Sequence, residues 1–449
     1  MYVSPSLPND TARKGNYMDI QHIARQARTS AIRMAALPGD VKNKALAEIV
    51  HALEAHRAAI IAANQADLAQ AEKEGLAAPL LKRLRFDESK IKEACAGLLS
   101  LIQLPDPVGI TLSATELDKD LELFKVSRPI GVIGVIFESR PDALVQISSL
   151  CLKSGNALLL KGGSEAARTN RILADTITAA AARADLPGGW LGLLETRADV
   201  ADMLSMDRFI DLIIPRGSNA FVRHIMDNTH IPVLGHADGI CHLYIDQAAD
   251  PAMAVRLAVD SKCQYVAVCN AVETILVHEE CAATLLPALQ KALAAKGVEI
   301  RGCDRTRRII DVQPATEEDW STEYLDLIVS IKVVPDLVAA MDHINRFGSG
   351  HTDVIVTSDR KTAVRFMDGV DSADVFWNAS SRFSDGYRFG LGAEVGISTN
   401  KIHARGPVGM EGLLIYQWRL MGNGQIVADY SGDTAKPFTH KKLKKIFGN

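Results

Sequence analysis

The 449-residue sequence predicts an α/β fold with two parallel-sheet domains and a small β arm. Three observations carry that expectation. Short apolar runs, RPIGVIGVIF (128–137), ALLLK (157–161) and DLIIP (211–215), alternate with helical stretches; strands apolar at every position belong to a parallel sheet covered on both faces. A second alternation runs from about 240 to 405, with ETILVH, VEIRG, IVSIKVV and TDVIVTS as its strands. Residues 109–125 instead alternate polar and apolar side chains, the pattern of a half-exposed hairpin.

In chain order, residues 1–17 lack the apolar core of a signal peptide and read as a disordered extension, with Met18 as an alternative start. From 19 to about 101 the chain is alanine-rich with apolar residues at three-and-four spacing, hence helical. LPDPV (104–108) breaks that pattern. The first sheet domain takes 18–105 and 126–240, and the second takes 241–406. Residues 106–125 and 407–449 form an oligomerisation arm and a polar, basic tail (KKLKK at 441–445), with a strand exchanged between subunits. A homodimer or higher homo-oligomer is therefore expected.

A formal charge of −4 disfavours nucleic acid or an anionic membrane surface as partner, because both demand a basic field. No apolar run reaches the roughly 18–20 residues of a membrane span, and Lys153 interrupts the best candidate. The seven cysteines, at 95, 151, 241, 263, 269, 281 and 303, are irregularly spaced and form no CxxC. Neither a disulfide framework nor a metal site is expected, and a reducing cytoplasm fits best.

Two strand-to-helix junctions suit phosphates. At Lys161, Gly162, Gly163 and Ser164 a lysine ends a strand, and glycines let backbone N–H groups approach a ligand at a helix N-terminus. Arg216, Gly217, Ser218 and Asn219 repeat the arrangement. Either alone is as well explained as a helix cap; two in one sheet favour a nucleotide. GLGAEVG (390–396) has GxGxxxG spacing with no strand leading into it and is rejected as a dinucleotide fingerprint. Cys269, in the small-residue stretch YVAVCNA before the strand TILVH, sits where a turn can present a thiol to a cleft. Cys263 is its nearest competitor, and Cys95 and Cys151 read as structural thiols on apolar helix faces. His236, His242 and His278 could each activate a thiol, although a lone histidine is more often a structural hydrogen-bonding group.

These motifs, taken in order, resemble the aldehyde dehydrogenase superfamily and, within it, the γ-glutamyl phosphate reductases. The matching segments are FESRPDA (137–143), ALLLKGGSEA (157–166), DLIIPRGSNAFVRHI (211–225), IPVLGHADGICHLYID (231–246), YVAVCNAVETILVH (265–278), EYLDLIVSIKVV (323–334) and RFGLGAEVGISTNKIHARGPVGMEGL (388–413). The resemblance implies an aldehyde dehydrogenase-like fold with two Rossmann-like domains, the first binding NADPH and the second holding the nucleophile, Cys269. It places Lys161 on the adenosine ribose, in a turn with Gly163. Ser164 stands where a glutamate often favours unphosphorylated NAD, which fits NADPH. Gly217 and Ser218 fall on the pyrophosphate, and Glu323 on the nicotinamide ribose. Val233 replaces the glutamate that activates water in hydrolytic members, and Arg140 stands near their oxyanion asparagine, where it could serve an oxyanion or phosphate. Val266 stands where the closer family commonly has proline. Arg382, Ser398, Thr399 and Arg405 are candidates for the amino-acid end of the substrate, although helix capping and surface ion pairing explain them equally well.

The implied activity is NADPH-dependent reduction of L-glutamyl 5-phosphate to L-glutamate 5-semialdehyde through a cysteine thioester, in L-proline biosynthesis, with glutamate 5-kinase as the implied donor of substrate. A hydrolytic NAD(P)-dependent semialdehyde dehydrogenase and an inactive scaffold are the alternatives. A fused kinase domain is not expected.

Overall fold

The structure, a computed structural model, describes residues 10–195, 198–236, 238–391 and 394–448. The chain forms two compact units: Met1–Gly217 with His224–Val233 and Gly409–Asn449, and Ser218–Arg223 with Leu234–Val408. Among the described residues no helix is long and apolar enough to cross a membrane.

The first unit opens with helices Asp10–Met34, Gly39–Ala55, Arg57–Lys73, Ala78–Leu84 and Glu88–Gln103. The first of these begins inside the segment expected as an extension, whose residues 1–9 lie outside the described ones. Its parallel sheet has the order Leu191–Leu194, Ala157–Lys161, Val132–Phe137, Leu212–Arg216. The two central strands are buried at every position, as their unbroken apolar runs require. Helices Pro141–Lys153 and Ala167–Ala182 follow these strands. Strand order reverses beside Val132–Phe137, and in such sheets ligands bind at the carboxyl ends of the strands next to the reversal. Residues 137–140, Lys161 and Arg216–Gly217 therefore share one edge of the sheet.

A separate antiparallel sheet orders Leu414–Met421, Leu121–Pro129, Thr111–Asp118 and Lys441–Leu443. The hairpin expected at 109–125 thus extends to Pro129, taking residues the sequence assigned to the buried strand. Gly131 makes the break: its φ of 137° favours glycine, and a Cβ there would lie 2.1 Å from Asp211 Oδ2. Asp211 in turn accepts from the Val132 amide at 2.9 Å, which starts the next strand. The strand Leu414–Met421 pairs with Leu121–Pro129 of its own chain.

The second unit carries a seven-stranded parallel sheet in the order Gln313–Pro314, Glu299–Gly302, Ile328–Val334, Val272–His278, Cys241–Ile245, Thr352–Val356, Asp374–Trp377. Leu243, Ile275, Val277, Leu286, Leu289, Ile331 and Val354 lie in its core, each stabilising by roughly 1.5–3 kcal/mol when fully buried. A two-stranded ribbon joins Gly396–Ser398 to Gly406–Val408. Of the rejected GLGAEVG segment, residues 392–393 lie outside the described ones.

Candidate active site

In the second unit, Cys269 lies on the turn between helix Pro251–Cys263 and strand Val272–His278, half-buried. Three contacts fix this turn. The Cys241 thiol donates to the Cys269 carbonyl at 3.1 Å. Asn270 Nδ2 donates to the Ser384 carbonyl at 2.6 Å, and Ser381 Oγ donates to the Asn270 carbonyl at 2.6 Å. Gly239 packs directly behind the thiol: a Cβ there would lie 2.2 Å from the Cys269 carbonyl oxygen and 2.5 Å from its Cβ.

His351 immediately precedes strand Thr352–Val356 and is fully buried. Its Nε2 lies 3.1 Å from Cys269 Sγ, while Nδ1 lies 2.8 Å from Thr352 Oγ1. Burial, and then the neighbouring His236, push its pKa well below the ordinary histidine value, so the ring is neutral. His236 stands edge-on to it, with ring centroids 5.0 Å apart, and donates from Nδ1 to the Ile397 carbonyl at 2.9 Å. One ligand atom from each of His236, Cys269 and His351 lies within 4.8 Å of the others.

His242 and His278 have other partners. His242 is buried against Asp353, with Nδ1 3.0 Å from the carboxylate. His278 caps helix Glu279–Ala294, accepting from the Glu280 amide at 3.1 Å. Cys263 ends its helix with its pKa raised chiefly by burial. The sequence reading missed His351, Gly239 and Cys241. A glycine-histidine pair just before the strand TDVIVTS was the available signal for His351.

Glu323 accepts a hydrogen bond from Asn219 Nδ2, and its pKa is raised, chiefly by burial. Arg382, nearly buried in a 3₁₀ turn, donates from Nε to Gln264 Oε1 at 2.9 Å. Burial lowers its pKa, as does the nearby Arg388 charge. Ser398 is buried and accepts from the Asn400 amide at 3.3 Å; the Thr399 amide donates to the Gly235 carbonyl at 3.3 Å. Arg405 pairs with Asp371, 3.2 Å to its carboxylate and 3.0 Å to its carbonyl, while its buried Nε has no hydrogen-bond partner among the described residues.

In the first unit, Lys161 ends its strand, buried, with its ammonium donating to the Gly162 carbonyl. A Cβ at Gly162 would lie 2.2 Å from Asn170 Nδ2, and one at Gly163 2.0 Å from Glu165 Oε1, so a side chain at either position would have to displace the end of its neighbour. Ser164 is exposed and begins the short turn before helix Ala167–Ala182. Glu165 faces back, accepting from the Ser139 amide at 2.7 Å and its hydroxyl at 2.6 Å. That contact holds Ser139 at a left-handed φ of 43°, a strained conformation typical of functional loops. Arg140 follows and precedes Pro141, the first residue of its helix. Gly217 and Ser218 link strand Leu212–Arg216 to helix Asn219–Asp227. Val233 bridges to Ile213 and is nearly buried. A buried lysine, glycine turns and helix starts at adjacent strand ends are the donor set a polyanionic nucleotide needs.

The model of the aldehyde dehydrogenase family matches residues 8–302. A γ-glutamyl phosphate reductase from Pelotomaculum thermopropionicum is 63% identical over 431 residues, 96% of this chain and 99% of that protein. The crystal structure of γ-glutamyl phosphate reductase from Thermotoga maritima superposes with a TM-score of 0.89 at 38% identity, covering 91% of this chain and 99% of that one. An acetylating aldehyde dehydrogenase from Geobacillus thermoglucosidasius, 15% identical, shares the fold with a TM-score of 0.62 over 94% of this chain and 99% of that one.

Proposed function

Since the chain belongs to the γ-glutamyl phosphate reductases of the aldehyde dehydrogenase family, we propose that it reduces L-glutamyl 5-phosphate to L-glutamate 5-semialdehyde and phosphate through a thioester on Cys269. The observation that carries the mechanism is the 3.1 Å approach of His351 Nε2 to Cys269 Sγ. With its proton on Nδ1, facing Thr352 Oγ1, the neutral ring presents the Nε2 lone pair to the thiol. Because burial disfavours an imidazolium here, the proton moves to His351 as sulfur attacks, instead of resting there in a standing ion pair.

The thiolate adds to the acyl carbon, the C–O bond to phosphate breaks, and a thioester remains on Cys269. NADPH, when bound, supplies the hydride that reduces this thioester. The resulting hemithioacetal expels the thiolate, freeing the aldehyde and regenerating Cys269. Arg140 and backbone amides beside Cys269 are the candidates to stabilise the oxyanion. Val233 is a hydrocarbon side chain that takes no proton, in keeping with an acyl donor already activated by phosphate.

Lys161, Gly163, Ser164, Gly217, Ser218 and Glu323 are assigned to the cofactor, with Ser164 leaving room for the 2′-phosphate of NADPH. Arg382, Ser398 and Thr399 are assigned to the amino-acid end of the substrate. Arg405, occupied by Asp371, is the weakest member of that set. The setting is cytoplasmic L-proline biosynthesis, with substrate received from glutamate 5-kinase and the arm joining subunits into a homo-oligomer. The deciding experiment runs the reaction backwards, with glutamate 5-semialdehyde and NADP⁺. Phosphate-dependent NADPH formation that is abolished in Cys269→Ser supports the reading; phosphate-independent formation of glutamate overturns it in favour of a hydrolytic enzyme.

A further inference from the structure

We propose that Cys269, His351 and His236 form a reversible binding site for a soft divalent cation, with Zn²⁺ the best match, held by one thiolate and two imidazole nitrogens. The three ligand atoms already lie within 4.8 Å of one another. In tetrahedral zinc, with Zn–S about 2.3 Å and Zn–N about 2.0–2.1 Å, ligand atoms stand roughly 3.3–3.6 Å apart. The Sγ to His351 Nε2 separation of 3.1 Å is close to that span. His236 and Cys269 are both half-buried, and the remaining separations, all within 4.8 Å, exceed that span by about 1 Å at most.

The outer partners of the two histidines support the assignment. His236 donates from Nδ1 to the Ile397 carbonyl, which puts the ring proton on Nδ1 and makes Nε2 the nitrogen that carries a lone pair. His351 Nδ1 is held by Thr352 Oγ1, which turns its Nε2 toward the sulfur. A ring nitrogen engaged by an oxygen while the other faces outward is the usual support of a metal-ligating histidine. The donor set has one sulfur, two nitrogens and no carboxylate, which selects zinc over magnesium or calcium. Three protein ligands leave a fourth position for water.

Binding converts the Cys269 thiol to a metal thiolate and releases its proton. The sulfur lone pair is then no longer available to attack carbon, so cation and acyl substrate exclude each other. The site stands on three side chains and holds whether or not the proposed reductase reaction is correct.

The test titrates metal-free protein with Co²⁺, following thiolate-to-cobalt charge-transfer absorption, and then displaces cobalt with Zn²⁺. Wild type is expected to show the band at a single equivalent, with Cys241→Ser retaining it and Cys269→Ser losing it. His236→Asn and His351→Gln are each expected to weaken Zn²⁺ binding by more than the 10- to 100-fold that loss of an outer partner costs. If buried His351→Gln does not fold, His236→Asn decides alone. A band that survives in Cys269→Ser, or Zn²⁺ affinity unchanged in His236→Asn, overturns the proposal.

Discussion

His351 Nε2 lies 3.1 Å from Cys269 Sγ, and the ring that makes this contact is the more buried of the pair. A buried imidazole cannot easily hold a charge, so the pair differs from an exposed thiolate–imidazolium couple. In the proposed reaction the histidine takes the proton only as the sulfur forms its bond to carbon.

Removing that base should expose the cost. His351→Gln is expected to lower kcat by about 10²–10⁴ at neutral pH. The remaining rate should rise with pH, because only pre-formed thiolate then reacts. Steady-state kinetics across pH check this. A variant with an unaltered pH profile would show that His351 only supports the turn.

Gly239→Ala tests the turn itself. The added Cβ would meet the Cys269 backbone at 2.2 Å, and backbone cannot swing aside as a side chain can. Either the thiol turn or the Gly239 segment must move. A displacement on the order of 1 Å costs about 10² in rate, with alkylation of Cys269 by iodoacetamide changing in parallel. Unchanged turnover and alkylation would show that the close packing has no role in placing sulfur.

The turn that carries Cys269 is legible from residues, because a small-residue stretch before a strand is a local pattern. His351 is not, since 82 positions separate it from Cys269 and no repeating pattern links the two. The sheet explains why: Val272–His278, Cys241–Ile245 and Thr352–Val356 are adjacent and parallel, so their amino ends converge. Cys269 precedes the first, Cys241 begins the second and His351 precedes the third. Strand order, which periodicity does not encode, creates the cluster. The end of the hairpin differs from expectation for a simpler reason: RPIGVIGVIF is one apolar run, and only the φ of Gly131 divides it.

Lys262 and Glu273 form an ion pair at 2.5 Å with both side chains fully buried. Burial pushes the Glu273 carboxyl up to about 7, against the pull of Lys262. Lys262→Met leaves that acid without its partner and is expected to destabilise the second unit by about 3–5 kcal/mol, whereas Lys262→Met with Glu273→Leu recovers most of the loss. Urea unfolding of the two variants measures the difference. Equal destabilisation in both would show that packing, and not the unpaired charge, sets the cost.

His343 predicts how stability responds to acid. It is buried among Trp320, Phe347 and His242, and Lys332 Nζ donates to its Nδ1 at 3.1 Å. Burial, then His242, Lys332 and Arg346, lower its pKa from 6.5 to about 2. The unfolded chain therefore binds a proton here that the folded chain refuses. The stabilisation is fully present above about pH 6.5 and is lost as pH falls toward 2. Thermal melts of His343→Leu should show a shallower fall in Tm between about pH 6.5 and 4 than wild type; parallel curves would remove His343 from the acid response.

Ser164→Glu addresses cofactor choice. Ser164 is exposed, and the adjacent Glu165 carboxylate is turned away to Ser139. A new carboxylate at 164 would face the 2′-phosphate of NADPH if the nucleotide lies as proposed. Like charges at about 4 Å repel by roughly 4 kcal/mol at an effective dielectric of 20. Solvent at this exposed position screens most of that, leaving on the order of 1.4 kcal/mol, or about tenfold. The ratio of kcat/KM for NADPH over NADH should fall by at least that factor, through KM for NADPH and with little change in kcat. A ratio that does not move would place the 2′-phosphate away from Ser164 and transfer the preference to another residue.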